Sequence, residues 1–384
     1  MAKSLVVDSD GHVLEPADMW ERYLEPKFRD RAIRIRVDSK GYEYFEIDGR
    51  KSPFLRGGTL ASAGGAYQDP REVMTPGKVT YEEGCRRTPG AVDPHMRLKE
   101  MDAEGIDVAI LYPTIGIAWE RDCADPELSA AYCRAYNNWL LDYCSVNPER
   151  LIAVAHVNLR DVDLAVTEVK RVKGKAKGIF VTPFPCNGRP HGDSYYDPFW
   201  AACEASGIPV ATHVQVRADS LGSGLHHASH NPPVAEDIPR WFHFMQLAED
   251  SIMGLNCLFQ GNVLDRFPKL KYVLLETGCG WVPGWMDRAD GKFELFGFTT
   301  QMTRKPSEIF RERCWISTDV DEASIPQVAR TIGANHMMWA TDYPHIDAHK
   351  NPLRELRKHI RSLSAEEQDW ILGRTAVELY GLQG

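Results

Sequence analysis

The sequence lacks long apolar runs, a secretory leader and paired cysteines, and each absence narrows the class of protein. It has no charge-free run of about 18 or more apolar residues, which argues against a membrane-spanning helix. The first four residues pass straight into a strand pattern, without the apolar segment of a signal peptide. Its nine cysteines are irregularly spaced and form no C-x-x-C pair, as expected of free thiols in a reducing compartment. We therefore expect a cytoplasmic protein.

The chain also has no broad basic face and no nucleotide-binding motif. Its 54 acidic residues outnumber its 45 lysines and arginines, for a formal net charge of −9. The densest basic stretch, residues 170–177, lies at a predicted helix end, where cations favour the helix dipole. We therefore expect no nucleic-acid partner. No G-x-G-x-x-G or Walker motif follows the first strand, which argues against nucleotide binding.

What the chain does contain is a regular alternation of strand-like and helix-like segments. Strand patterns cover residues 5–7, 108–113, 151–157, 178–182, 209–214, 272–276, 314–318 and 337–341. Helical patterns include residues 93–104, 126–147, 162–172, 198–206, 353–360 and 365–380. Continuous apolar strands alternating with helices indicate a parallel sheet, and eight such units favour a closed barrel. We predict an α/β fold, a (β/α)8 TIM barrel, with residues 1–384 as one domain.

One long segment, residues 16–92, interrupts this alternation after the first strand. It is rich in glycine, proline and charge, and residues 33–37 and 42–47 predict a small hairpin. An insertion after a barrel strand lies on the catalytic face, so we interpret it as a lid or an oligomer contact. Its aromatic residues, among them Trp20, Phe28 and Phe45, need burial on the barrel or on a neighbouring chain. We therefore expect a homodimer or a larger homo-oligomer.

Four polar clusters follow strand-like runs, at the ends that share one face in a barrel. Their members are Asp10 with His12, then His213, then Glu276, and finally Asp342 with His345. Asp10 and His12 are two positions apart, so both side chains lie on one face of their strand. Carboxylates and imidazoles that converge in this way are the ligands of a divalent cation.

The same motifs resemble the amidohydrolase superfamily, in the branch of aminocarboxymuconate-semialdehyde decarboxylase and the resorcylate-type decarboxylases. The motifs are Asp10-Gly11-His12, Thr212-His213, the stretch 263–281 and Thr341-Asp342-Tyr343-Pro344-His345. The resemblance covers the chain outside residues 16–92. It implies that Asp10 and His12 are the first-strand metal ligands, with His213 on the fifth strand and Asp342 on the eighth.

Two residues depart from the pattern of this branch. Asp10 replaces the first histidine of the common His-x-His pair, and Glu276 stands where the decarboxylases usually have an acid/base histidine. Glu276 therefore acts as an acid/base or ligates a metal. The six residues Asp10, His12, His213, Glu276, Asp342 and His345 are enough for one or two ions, with Zn²⁺, Mn²⁺ and Fe²⁺ all open.

We interpret the chain as a metal-dependent enzyme that hydrolyses or non-oxidatively decarboxylates a small carboxylated or amide-like molecule. Asp342 is the leading proton acceptor, assisted by Glu276 or His345. The alternatives are a non-haem dinuclear iron or manganese oxygenase and a non-catalytic barrel scaffold. Weaker candidates for contacts with the substrate are His226, His227, His230 and Trp281.

Overall fold

The computed structural model describes residues 5–52, 58–185, 187–214 and 240–383. Its strands are β1 (Val7–His12), β2 (Arg34–Val37), β3 (Glu43–Ile47), β4 (Arg50–Lys51), β5 (Val108–Tyr112), β6 (Leu151–His156), β7 (Gly178–Val181), β8 (Val210–His213), β9 (Tyr272–Leu275), β10 (Cys314–Thr318) and β11 (Met337–Trp339). Its α-helices are Met19–Tyr23, Pro70–Val73, Tyr81–Arg87, Pro94–Glu104, Pro126–Cys144, Val162–Val172, Asp197–Ser206, Arg240–Gln260, Val263–Arg266, Val282–Phe296, Pro306–Arg313, Ile325–Ile332, Pro352–Ile360, Ala365–Asp369 and Thr375–Tyr380.

Eight of the strands form one parallel sheet in the order β1-β5-β6-β7-β8-β9-β10-β11. Helices connect successive strands, so the sheet curls into a barrel with its helices outside. This confirms the predicted (β/α)8 fold. The predicted strands from residue 108 onward end within a few residues of the observed ones, because each is a continuous apolar run with a clear boundary.

The first strand differs from its prediction. It covers Val7–His12, so the polar cluster lies inside the strand rather than after it. The register against β5 shifts between Asp8 and Gly11, which marks a bulge. Val7 belongs to the cluster inside the barrel, so strict alternation would turn Asp10 and His12 outward. The bulge reverses the alternation and brings both side chains to the interior.

The interior of the barrel is a separate apolar cluster from the layer between sheet and helices. Its members include Val7, Ile110, Val154, Phe180, Ala211, Val273, Leu275 and Met338. The final helix, Thr375–Tyr380, closes the floor, where the Tyr380 and Tyr112 hydroxyls lie 2.9 Å apart. Among the described residues, the lower part of the barrel is therefore a filled, mainly apolar core.

Aspartates begin several of the helices on the outside of the barrel. The side chains of Asp93, Asp125 and Asp161 each accept two backbone N–H bonds in the first turn of their helices. At the other end, Gly105 and Gly207 adopt left-handed backbone angles that stop two helices. These caps fix the connection lengths that return the chain to the sheet.

The segment of residues 16–92 packs on the barrel. Strands β2, β3 and β4 form an antiparallel sheet, which confirms the predicted hairpin and adds a third strand. Trp20, Phe28 and Phe45 are buried in the same apolar cluster as the barrel helices. Burial within the chain therefore accounts for these three aromatics without a neighbouring subunit.

Two further properties concern the predicted cellular setting. Within the described ranges, no helix combines the length and apolarity that a membrane crossing requires. The cysteines of these ranges are free thiols. Burial raises the pKa of the Cys279 thiol beside the Glu276 turn, so this cysteine is held in its unreactive protonated form.

Candidate metal centre

Four side chains from different strand ends meet at the upper end of the barrel. His12 and His213 end β1 and β8, and Glu276 and Asp342 follow β9 and β11. One ligand atom from each lies within 4.8 Å of the others. The topology brings them together because parallel strands place their carboxyl ends on one face.

Asp10 completes this group from inside β1. Its Oδ1 lies 3.5 Å from Nε2 of His12, and its Oδ2 lies 3.8 Å from Nε2 of His213. The side chain is 1% exposed, and neither carboxylate oxygen has a hydrogen-bond partner. Burying a carboxylate without a partner costs on the order of several kcal/mol of desolvation free energy, unless a positive charge or a proton neutralises it.

The two imidazoles point their Nε2 atoms at the same space. His12 Nδ1 lies 3.0 Å from the Pro113 carbonyl, and His213 Nδ1 lies 2.6 Å from the Val214 carbonyl. A carbonyl only accepts, so both Nδ1 atoms carry the proton. In neutral rings, both Nε2 atoms then present lone pairs, yet they lie 3.1 Å apart. Two facing lone pairs beside carboxylates fit a cation between them, with the carbonyls orienting the rings.

The backbone turns Glu276 and Asp342 into the mouth of the barrel. Their φ angles are 50° and 53°, in the left-handed region that costs non-glycine residues on the order of 1 kcal/mol or more. The Glu276 amide donates to Ser317 Oγ at 3.1 Å, and the Asp342 amide donates to the Asp10 carbonyl at 3.1 Å. These bonds hold both turns, with Glu276 Oε2 2.9 Å from His213 Nε2 and Asp342 Oδ1 3.3 Å from His12 Nε2.

His345 lies behind Asp342 rather than in the group of four. Its Nδ1 is 2.7 Å from Asp342 Oδ1, and its Nε2 is 3.0 Å from Thr114 Oγ1. Burial lowers its pKa to about 4, so the ring is neutral at ordinary pH. The arrangement is a hydrogen-bonded chain from Thr114 through His345 to Asp342, which orients the carboxylate.

The protonation of this centre is set mainly by burial. Burial raises the pKa of Asp10 to about 8, and it also raises the pKa of Glu276 and of Asp342. Burial by itself would lower the pKa of His213, but the carboxylates of Asp10 and Glu276 raise it to about 9. The group therefore holds protons wherever no metal ion takes their place.

A polar cavity of about 270 Å³ opens beside the group. Its lining residues are Glu276, Asp319, Val320, Asp321, Ala340, Thr341, Asp342, Asp347 and His349. Two of the proposed site residues, Glu276 and Asp342, therefore face both the imidazoles and an open space. That space is large enough for water molecules or part of a small substrate.

The weaker predicted contacts fare differently. His226, His227 and His230 lie outside the described residues. Trp281 donates from Nε1 to the Gly278 carbonyl at 2.9 Å and contacts the ring of Trp285. It supports the turn that carries Glu276, and it is absent from the described lining of the 270 Å³ cavity.

Several supporting groups escaped prediction from the sequence. Pro113 and Thr114 orient His12 and His345, but both lie about a hundred residues or more from their partners. Asp8 lies two residues before Asp10 and accepts two hydrogen bonds from Thr341. Only the fold shows which distant residue each one meets.

A barrel of this kind, with imidazoles and carboxylates at the carboxyl ends of its strands, is typical of metal-dependent barrel enzymes. The model of the amidohydrolase family matches residues 7–382, and the chain therefore belongs to that family. This confirms the superfamily resemblance read from the motifs and the prediction of an enzyme.

Three known proteins illustrate the similarity. A gamma-resorcylate decarboxylase from Rhizobium sp. (strain MTP-10005) is 25% identical over 259 residues, covering 65% of this chain and 76% of that protein. An amidohydrolase structure from Mycobacterium avium subsp. paratuberculosis K-10 is 26% identical with a TM-score of 0.81, covering 99% and 100% of the two chains.

The third is a 5-carboxyvanillate decarboxylase structure from Novosphingobium aromaticivorans DSM 12444, in complex with manganese and 4-hydroxy-3-methoxy-5-nitrobenzoic acid. It is 18% identical with a TM-score of 0.69, covering 99% of this chain and 96% of that one. At this identity the likeness supports the fold, and the manganese is a property of that protein.

Proposed function

We propose that this chain is a metal-dependent enzyme that decarboxylates a small carboxylated aromatic substrate without an oxidant. The observation that carries the proposal is the meeting of His12, His213, Glu276 and Asp342 ligand atoms within 4.8 Å of one another. Two relatives that act on carboxylated phenols, one of them in complex with manganese, support the substrate class.

In this proposal Asp10, His12, His213 and Asp342 hold one divalent ion, of which Mn²⁺ is favoured. When bound, the ion supplies a positive charge that orients the substrate carboxylate and withdraws electrons from it. The facing Nε2 atoms of the two histidines and the unpartnered oxygens of Asp10 fit this role.

The protein supplies the proton that the reaction consumes. Asp342, with His345 and Thr114 behind it, would hold a proton and deliver it to the ring carbon that bears the carboxylate. The bond from that carbon to the carboxylate carbon then breaks, its electron pair returns to the ring, and CO₂ leaves. One proton enters and one CO₂ departs, so no oxidant or reductant is required.

Glu276 keeps two possible roles in this proposal. Its 2.9 Å contact with His213 Nε2 suits a metal ligand, and its raised pKa suits a proton donor. The cavity beside it supports the second candidate function, a dinuclear oxygenase. The aspartates that line this cavity offer carboxylate ligands for another ion. Hydrolysis of an amide-like substrate would use the same metal and Asp342.

Oxygen dependence separates these reactions. Manganese-loaded protein is incubated with a panel of hydroxylated benzoic acids, with and without O₂, and CO₂ and the aromatic product are measured. We expect CO₂ release and a ring bearing hydrogen in place of the carboxylate, at equal rates in both atmospheres, and loss of activity after chelation. Products that gain oxygen only in air would contradict decarboxylation and support the oxygenase.

We also propose that the protein is a homodimer or a larger homo-oligomer in the cytoplasm. Support for assembly comes from Leu295, Phe296 and Phe298 near the end of one helix, with Phe298 85% exposed. Free cysteines in the described residues are consistent with a reducing compartment.

A further inference from the structure

The barrel closes differently at β1 and β11 than at its other strand pairs. Across the described residues, a parallel ladder joins each neighbouring pair from β1 through to β11, but none joins β11 back to β1. We call this junction between β1 and β11 the seam. Two backbone bonds cross it from β1 to the turn after β11: Asp342 N–H donates to the Asp10 carbonyl at 3.1 Å, and His12 N–H donates to the Tyr343 carbonyl at 2.7 Å. Both bonds involve candidate metal ligands.

One side chain also crosses the seam. The Asp8 carboxylate accepts from Thr341 N at 3.0 Å and from Thr341 Oγ1 at 2.7 Å. Asp8 is 1% exposed and lies two residues before Asp10, whereas Thr341 immediately precedes Asp342. The carboxylate therefore ties the strand that carries two candidate ligands to the turn that carries a third.

A buried arginine supports the same junction. Arg97 is 2% exposed, and its Nη2 lies 3.8 Å from Asp8 Oδ2. Its Nη1 donates to the His12 carbonyl at 2.9 Å, and its guanidinium lies 4.8 Å from the centre of the Tyr343 ring. The guanidinium thus offsets the buried charge of Asp8 and contacts both sides of the seam.

The glycine of the first-strand motif makes room for this arrangement. A Cβ on Gly11 would lie 2.4 Å from Arg97 Nη2 and 2.8 Å from Asp8 Oδ2, closer than non-bonded atoms approach. A cavity of about 180 Å³ borders the other side of Asp8, Arg97, Thr341 and Tyr343. Replacing Asp8 by a smaller residue therefore leaves space in which the seam can shift without a clash.

We propose that Asp8 is a positioning residue that fixes Asp342 relative to Asp10 and His12, at the spacing which a divalent ion requires. This rests on the proposed metal-dependent function. Asp8 acts by fixing the chain on either side of the ligands, because it accepts from Thr341 N, from Thr341 Oγ1 and, at 3.4 Å, from Asp10 N rather than from a ligand side chain. Without it, the 3.3 Å approach of His12 Nε2 and Asp342 Oδ1 loses the carboxylate bonds that join the two sides, and the two backbone bonds and the Arg97 contacts remain.

The test measures Mn²⁺ affinity by equilibrium dialysis and the electron paramagnetic resonance spectrum of the bound ion. We expect Asp8→Ala to weaken binding roughly tenfold or more, as is usual when groups supporting metal ligands are removed. Asp8→Asn keeps an oxygen for the Thr341 amide and should restore part of the affinity. Thr341→Val removes the hydroxyl that donates to Asp8 at nearly constant volume and should also weaken binding.

The matched control is Asp107→Asn. Asp107 accepts from Val6 N at 2.8 Å at the opposite end of the same strand pair, so this variant should keep wild-type Mn²⁺ affinity and spectrum. Wild-type affinity and spectrum in both Asp8→Ala and Thr341→Val would overturn the positioning role. If Asp8→Ala does not fold, Thr341→Val decides. If the wild-type chain binds no Mn²⁺, the proposed function itself is overturned. If the wild type and the variants bind Mn²⁺ equally well, only the positioning role of Asp8 is overturned.

Discussion

At the scale of single residues, the centre places the carboxyl groups of Asp10, Glu276 and Asp342 beside two imidazoles. Asp10, Glu276 and Asp342 all have raised pKa values because they are buried. The residue types and their places at strand ends predicted that six side chains would converge, and the structure brings Asp10, His12, His213, Glu276 and Asp342 together. Their supporting partners, such as Pro113 and Ser317, could not be predicted because those contacts depend on backbone geometry.

Glu276 is the residue whose role decides between the leading reactions. Glu276→Gln keeps the size of the side chain but removes its charge and its exchangeable proton. Because Oε2 lies 2.9 Å from His213 Nε2, we expect the variant to bind less metal per chain as well as to lose turnover. Metal analysis of the dialysed proteins checks this.

Glu294→Gln is the control for this change, since Glu294 pairs with Lys305 on the surface and should keep both metal and turnover. Unchanged metal content with lost turnover in Glu276→Gln would assign Glu276 to proton transfer alone. Unchanged stoichiometry near one ion per chain would also argue against the dinuclear reaction.

At the scale of elements, local irregularities position the site. Alternation predicted that Asp10 and His12 share a face, but the bulge in β1 determines that this face is the interior. Bulges depend on the register of a neighbouring strand, which lies a hundred residues away here. The turn after β5 also depends on a residue about a hundred positions away. Glu15 is 0% exposed and accepts from Ile115 N at 2.9 Å and from Gly116 N at 3.1 Å.

Glu15 makes the stability of this turn depend on pH. Burial raises its pKa from 4.5 to about 7, although the amides of the turn oppose the shift. Its contribution is therefore complete below pH 4.5 and is lost as the pH rises through 7, an effect on the order of 3 kcal/mol.

Glu15→Gln removes the titratable group. Its amide oxygen can accept one of the two turn N–H bonds and its NH2 cannot accept the other, so the variant should also be less stable at every pH. We expect the free energy of unfolding to fall less between pH 5 and pH 8 in this variant than in the wild type, measured by urea denaturation of the metal-free proteins. The exposed Glu308→Gln should follow the wild-type curve. Parallel curves for Glu15→Gln and the wild type would mean that Glu15 does not titrate in this range.

At the scale of the whole molecule, the eight-unit pattern was sufficient to predict the barrel. Each unit joins an apolar strand to an amphipathic helix, and parallel strands joined in this way have few alternative arrangements. The segment of residues 16–92 was harder, because its short elements gain stability from the barrel. Its tertiary contacts, such as the burial of Trp20 and Phe45, follow from the fold and not from local sequence.

Assembly is the prediction that belongs to this scale. The apolar side chains of Leu295, Phe296 and Phe298 are exposed in the single chain, and covering them would favour association. We expect sedimentation velocity at micromolar concentration to give at least twice the chain mass of 43.4 kDa. A stable monomer under these conditions would contradict the proposed homo-oligomer.

Mn²⁺ titration of the wild type beside His213→Ala determines whether the upper end of the barrel is a metal centre. His213 contributes one of the two facing Nε2 atoms and is fully buried, so its loss should remove the site while circular dichroism shows a retained fold. We expect saturable binding of at least one ion per wild-type chain and its loss in His213→Ala. A wild type without metal, or a variant that binds as tightly as the wild type, would contradict it.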